Sequence, residues 1–255
     1  MENGSPYELF GFDFRQNEGQ RELIRLINID PTLMPVVFVK GSAGTGKTFA
    51  SLAAALNLVR GKGSKKRYKT IFYIREPVEV GHRLGYLKGT TEDKYGPYLG
   101  PLLDNYTHLM ANLREDVSSP LRGPKRKIRF PEDEDAPMYA NLPSDIIPLA
   151  PEFMRGRSLS DAIVLVDEAQ NMTLDELQTM VTRIGRNTKM IIIGSPNQID
   201  VPDQTFEKNA FEISYEILKP TELIGYIELT EPMRSGFVTD FDLRFIEYKK
   251  THKNK

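Results

Sequence analysis

Apolar residues fall along this chain in two rhythms. Unbroken runs of strand length recur at Val36–Lys40, Thr70–Ile74, Ala162–Val166, Met190–Ile193 and Ile224–Leu229. Runs without polar alternation suit strands covered on both faces. Between them, apolar positions return at helical spacing. Leu23, Ile24 and Ile27 do so within Asn17–Ile29, and an alanine- and leucine-rich stretch continues to about Val59. Leu177, Met180, Val181 and Ile184 share one helical face, and further helices are predicted over Phe206–Leu218 and Phe237–Lys249. The boundaries carry their own chemistry. Asn17 can cap the first helix, Thr173 and Glu176 form a capping-box pair, and Gly61 and Gly185 suit helix ends. Strand–helix alternation predicts an α/β fold, a mostly parallel sheet with helices on both faces, in one domain over residues 1–255.

One stretch breaks the rhythm. From about residue 76 to 160 the chain is rich in Gly and Pro, with a very polar segment from Glu115 to Asp135. It reads as an insertion between the second strand and the later acidic strand, with short helices around Tyr98 to Leu113 and then a flexible or hairpin excursion. The basic tail, residues 249–255, is expected to fray.

Composition narrows the chemistry. With 255 residues, 40% of them apolar, the chain can bury one large core. It has no cysteine, which excludes disulfides and thiolate metal sites, and its three histidines, His82, His108 and His252, are scattered. A formal net charge of -1 gives no global case for a polyanion partner. Two local clusters keep RNA or single-stranded nucleic acid open as a partner: Lys62, Lys65, Lys66, Arg67 and Lys69, and Lys125, Arg126, Lys127 and Arg129. Solvated loops are the commoner explanation of such runs. No apolar run approaches the roughly 20 residues of a membrane helix, and the N-terminus lacks a signal-peptide pattern. A cytoplasmic protein with no membrane contact is expected.

The first strand runs directly into Gly41-Ser42-Ala43-Gly44-Thr45-Gly46-Lys47-Thr48, a full match to the P-loop pattern. Glycines let the backbone curl so that successive N–H groups converge on phosphate oxygens, and the following helix adds its positive end. Lys47 would face the β- and γ-phosphates, and Thr48 would offer a hydroxyl to Mg²⁺. About 120 residues later, the run Ile163-Val164-Leu165-Val166 delivers Asp167 and Glu168 at a strand end. Asp167 is the expected second Mg²⁺ ligand, and Glu168 the group that orients and deprotonates an attacking water. A third strand ends in Gly194-Ser195-Pro196-Asn197-Gln198, from which Gln198 could reach the γ-phosphate. Together these point to ATP with Mg²⁺, and to hydrolysis rather than binding alone.

These elements, in this order, resemble the PhoH-like ATPase family, related to the motor core of superfamily-one helicases. The resemblance also rests on Arg75 to Gly89, Pro97-Tyr98-Leu99, Pro148-Leu149-Ala150, Met154 to Leu159, Ala169-Gln170, Thr182 to Gly185 and Ile199-Asp200. It implies a RecA-like α/β/α core, ATPase activity and, in some relatives, a link to RNA through RNA-processing protein partners. By the same resemblance Gln20 would read the adenine edge, although Asn17-x-x-Gln20 also fits a capping box. Arg234 would act as an arginine finger, with Arg183 and Arg186 as weaker candidates. Ser195 stands where the family usually carries aspartate, which would slow hydrolysis. A single lobe cannot close a between-lobe site, so a homo-oligomeric ring, such as a hexamer, is expected. The alternative is a nucleotide-dependent assembly switch with weak turnover, acting on a protein partner.

Overall fold

The computed structural model describes residues 5–61, 66–76, 96–113, 142–154, 156, 158–199, 209–233, 244, 245 and 248. It opens on a short hairpin, β1 (Glu8–Leu9) antiparallel to β2 (Phe12–Asp13). Then come α1 (Glu18–Asn28), β3 (Val36–Gly41), α2 (Lys47–Arg60), β4 (Thr70–Arg75), α3 (Gly100–Asn112) and β5 (Ile146–Leu149). The described elements close with β6 (Ala162–Asp167), α4 (Leu174–Val181), β7 (Thr188–Gly194), α5 (Ala210–Leu218) and β8 (Ile224–Leu229). Six strands form one sheet in the order β5-β4-β6-β7-β3-β8, and every pairing is parallel.

Side-chain alternation divides the core between two faces. Val37, Ile71, Leu165 and Ile191 pack under Leu23 and Ile27 of α1, Leu52 and Leu56 of α2, and Leu102 and Leu109 of α3. Val36, Phe38, Val164 and Ile192 pack against Leu177 and Met180 of α4 and Phe211 of α5. Phe211 meets Phe38 edge-on with ring centroids 5.5 Å apart. A cavity left there by truncation to alanine would cost about 3–5 kcal/mol. The result is the expected three-layer, RecA-like α/β/α sandwich, in which β7 alone separates β3 from β6.

Three sequence expectations change. The predicted insertion carries its expected helix, α3, which packs on the first face, but it also contributes β5, an unforeseen strand parallel to β4 at the sheet edge. An edge place tolerates Pro148 within β5. Helix α4 ends at Val181, before Gly185. The Gly185 N–H instead donates to the Leu159 carbonyl at 2.7 Å, and a Cβ there would collide with that carbonyl. Gly185 therefore permits close approach of two backbones rather than closing a helix. The Asn17–Gln20 capping box is only half present, because the Gln20 side chain bonds elsewhere.

Helix α5 is capped by Asn209, and the start predicted at Phe206 lies outside the described residues. So do the polar excursion from Glu115 to Asp135 and the basic tail. Residues 244, 245 and 248 are helical, and the rest of the predicted last helix lies outside the described part. No described helix is long and apolar enough to cross a membrane.

Candidate functional site

The carboxyl edge of the sheet gathers three loops. The first leaves β3 at Gly41 and enters α2 at Lys47, passing Gly44 and Gly46 at φ 76° and 79°. These left-handed conformations suit glycine. At Gly46 there is a second reason, since a Cβ would collide with the Gln20 side-chain amide. The loop is held from several sides. Gln20 Nε2 donates to the Thr45 carbonyl at 3.1 Å, and the Met233 N–H donates to the Gly44 carbonyl at 2.8 Å. Thr45 Oγ1 and Lys47 Nζ both donate to the Ser42 carbonyl, at 2.9 and 2.8 Å. Lys47 is thus folded back across the loop, its ammonium on a backbone carbonyl oxygen.

Gln20 serves the helix start through its backbone and the loop through its side chain. Asn17 Oδ1 caps α1 by accepting from the Gln20 N–H at 2.8 Å. The Gln20 side chain is bonded to the loop instead of completing a capping box, and it is buried. Met233, 60% exposed, lies beside it, its N–H on Gly44 and its sulfur 3.7 Å from Asn17 Nδ2. Amide groups and an open apolar side chain therefore flank the loop on one side.

The second loop begins where β6 ends. Thr48 Oγ1 donates to Asp167 Oδ1 at 3.0 Å, across the width of β7. Tyr73 Oη donates to Asp167 Oδ2 at 2.7 Å, and Arg75 Nη1 lies 3.9 Å from the same oxygen. Burial, followed by the Asp167 charge, pushes the Tyr73 hydroxyl well above its ordinary range, so it stays a donor. Glu168 adopts φ 54° and ψ 40°, a left-handed conformation unusual outside glycine. Its carboxyl is raised above the ordinary carboxylate range, first by burial and then by the Asp167 charge. The bond from Gln170 and the cations Arg75 and Lys47 act in the opposite direction.

Gln170 joins the second loop to the third. Its Nε2 donates to Glu168 Oε2 at 2.6 Å and to the Gln198 carbonyl at 2.9 Å. Its Oε1 accepts from the Ser195 N–H at 2.8 Å, and the residue is fully buried. The turn closes on itself through the Gln198 N–H and Ser195 carbonyl at 2.7 Å. Asn197 Nδ2 lies 3.4 Å from Ser42 Oγ, reaching the first loop.

The residues singled out from sequence therefore converge. Gln20, Gly41 to Thr48, Asp167, Glu168 and Gln198 all lie at one sheet edge, whereas Arg234 falls outside the described residues. Tyr73, Arg75 and Gln170 were missed as site residues. A tyrosine inside an otherwise apolar strand was the available signal, because a buried hydroxyl needs a partner. The basic cluster after α2 lies at the opposite end. There Arg67 bonds the Asn28 carbonyl and Oδ1 at 2.8 and 3.0 Å, and Lys69 pairs with Asp161 at 2.9 Å. Lys62, Lys65 and the cluster Lys125 to Arg129 lie outside the described residues.

A hydroxyl and a carboxylate in direct contact form a hard-oxygen pair that suits Mg²⁺. Among the described residues no group of three or more His, Asp or Glu side chains could hold a metal alone.

A parallel sheet in which one strand separates a P-loop strand from an acidic strand defines the P-loop fold of the RecA-like kind. The chain belongs to the PhoH-like protein family, whose profile matches residues 15–241. It is 34% identical to protein PhoH2 of Bacillus subtilis (strain 168) over 80% of this chain and 41% of that protein. It is 30% identical to a PhoH-like protein of Mycobacterium leprae (strain TN) over 97% of this chain and 65% of that one. The chain thus spans less than two thirds of these relatives. Among solved structures, the large terminase of a thermophilic bacteriophage, in complex with ADP, is similar with a TM-score of 0.50 and 12% identity. The match covers 89% of this chain and 49% of the terminase, a likeness of fold.

Proposed function

We propose that this domain binds ATP with Mg²⁺ and hydrolyses it to ADP and phosphate. The observation that carries the reading is the contact of Thr48 with Asp167 beside a P-loop across which Lys47 is folded. Backbone N–H groups of residues 42–48 and the positive end of α2 would receive the β- and γ-phosphates. Lys47 would leave the Ser42 carbonyl for a phosphate oxygen, exchanging a neutral acceptor for an anionic one. Thr48 and Asp167 would hold Mg²⁺, which when bound neutralises charge on the β- and γ-oxygens. Glu168, held by Gln170, would take a proton from the water attacking the γ-phosphorus as the bond to the bridging oxygen of ADP breaks. Gln198 would register the γ-phosphate from the third loop. Gln20 and Met233 flank the loop where the base would emerge, which supports adenine through amide pairing and apolar contact.

The competing reading, a switch with little turnover, leaves the raised and restrained Glu168 carboxyl without a task. Calorimetric titration with Mg-ATP tests the reading directly. The wild-type protein should saturate and Lys47→Ala should not. A folded wild-type protein giving no saturable heat would end the proposal.

Coupling to RNA within a homo-oligomeric ring, with Arg234 as an arginine finger from a neighbouring subunit, belongs to the same proposal. It should appear as phosphate release accelerated by single-stranded RNA. Indifference to RNA would transfer the coupling to a protein partner.

A further inference from the structure

Tyr73 has a task that packing does not explain. It lies inside β4, fully buried, with its ring in the core that carries α2. Phenylalanine would fill the same space, and burying an additional hydroxyl is costly unless it is bonded. The register places Tyr73 beside Leu165 and Arg75 beside Asp167, so period-two alternation brings all four to one face of the sheet. From there the Tyr73 hydroxyl reaches Asp167 Oδ2 at 2.7 Å.

The two oxygens of Asp167 consequently face different surroundings. Oδ2 is held from the interior by Tyr73, with the Arg75 guanidinium 3.9 Å away. Oδ1 accepts from Thr48 at 3.0 Å and from the Glu168 N–H at 3.2 Å. A carboxylate on a strand end can rotate about its last bond. Anchoring Oδ2 fixes that rotation and presents Oδ1 to the Thr48 hydroxyl. Partners behind a metal ligand typically contribute about 10- to 100-fold in affinity.

We propose that Tyr73 is a positioning residue for the divalent cation, holding Asp167 so that Oδ1 and the Thr48 hydroxyl form a preset pair. The inference rests on the nucleotide reading of the site and adds a determinant of metal affinity that lies one strand away, in β4.

The test uses the full chain and Mn²⁺ as the probe, followed by the loss of the free-ion electron paramagnetic resonance signal in the presence of ADP. Tyr73→Phe removes one oxygen. It should weaken Mn²⁺ binding about 10-fold or more, leave ADP affinity in EDTA within about twofold, and preserve cooperative thermal unfolding. Equal Mn²⁺ affinity in the two proteins would overturn the inference. So would a parallel loss of ADP affinity in EDTA, which would mark a general structural role. If the wild-type protein takes up no Mn²⁺ with ADP, the nucleotide reading falls and this inference with it. If Tyr73→Phe does not fold, Tyr73→Met, similarly apolar but without a donor, is held to the same outcomes.

Discussion

The two edges of the sheet bury polar groups in opposite styles. At the amino edge two buried charges are locked to fixed partners. Arg60 grips Asp145 with two bonds of 2.7 and 2.8 Å where α2 ends and β5 begins. Lys189, fully buried at the start of β7, donates to the carbonyls of Ile29 and Met34. At the carboxyl edge, beside the fixed Tyr73 anchor, three partners are ones a ligand could replace. Lys47 rests on a carbonyl, Thr48 on Asp167, and Glu168 on a glutamine. The first style ties elements together, whereas the second holds side chains ready for exchange. Burial of a charge therefore does not by itself mark a functional site. What matters is whether its partner can give way.

If this distinction holds, changes at the carboxyl edge should alter turnover with little effect on stability, and changes at the amino edge the reverse. The largest effect is expected for Glu168→Gln. It should lower steady-state phosphate release about 10²–10⁴-fold, the usual contribution of a general base, while ATP still binds in calorimetry. Turnover near the wild-type rate would make the site a switch. Arg60→Ala leaves Asp145 buried without its ion-pair partner and should cost about 3–5 kcal/mol, read from urea unfolding. ATP affinity of the folded fraction should hold. A loss below about 1 kcal/mol, or a selective loss of ATP binding, would remove the contrast between the edges.

A smaller and more specific effect concerns pH. Burial, followed by the charge of Arg67, brings the Lys189 ammonium down to about 8 from 10.5. Between those values the unfolded chain retains a proton that the folded chain has released, so stability should rise with pH across that window. Relative to Lys189→Met, the wild-type unfolding midpoint should climb from about pH 8 to about pH 10. Parallel profiles would show that this lysine keeps its charge at the amino edge.

Much of this was legible beforehand because it is local. The strands β3, β4, β6, β7 and β8 were readable as apolar runs, and the loop from Gly41 to Thr48 is contiguous. What escaped is non-local or brief. Strand β5 is four residues long with a proline inside, and only its place at the edge makes it a strand. The Gln170 side chain bridges residues 168, 195 and 198, which the fold alone brings together. The Tyr73 hydroxyl meets a carboxylate 94 positions away. Gly185 resembled a helix stop because glycine is common there, yet its partner Leu159 lies on another segment.

The backbone of Glu168 carries an evolutionary consequence. A side-chain-bearing residue held at φ 54° raises the energy of the native state by an amount on the order of 1 kcal/mol, which glycine would relieve. Selection for heat resistance alone would thus be drawn toward Glu168→Gly, yielding a sturdier molecule without the carboxyl proposed as its base. On the proposed reading the acid is retained for its chemistry, so a homologue bearing glycine at this position would be a sign of a domain kept for its shape.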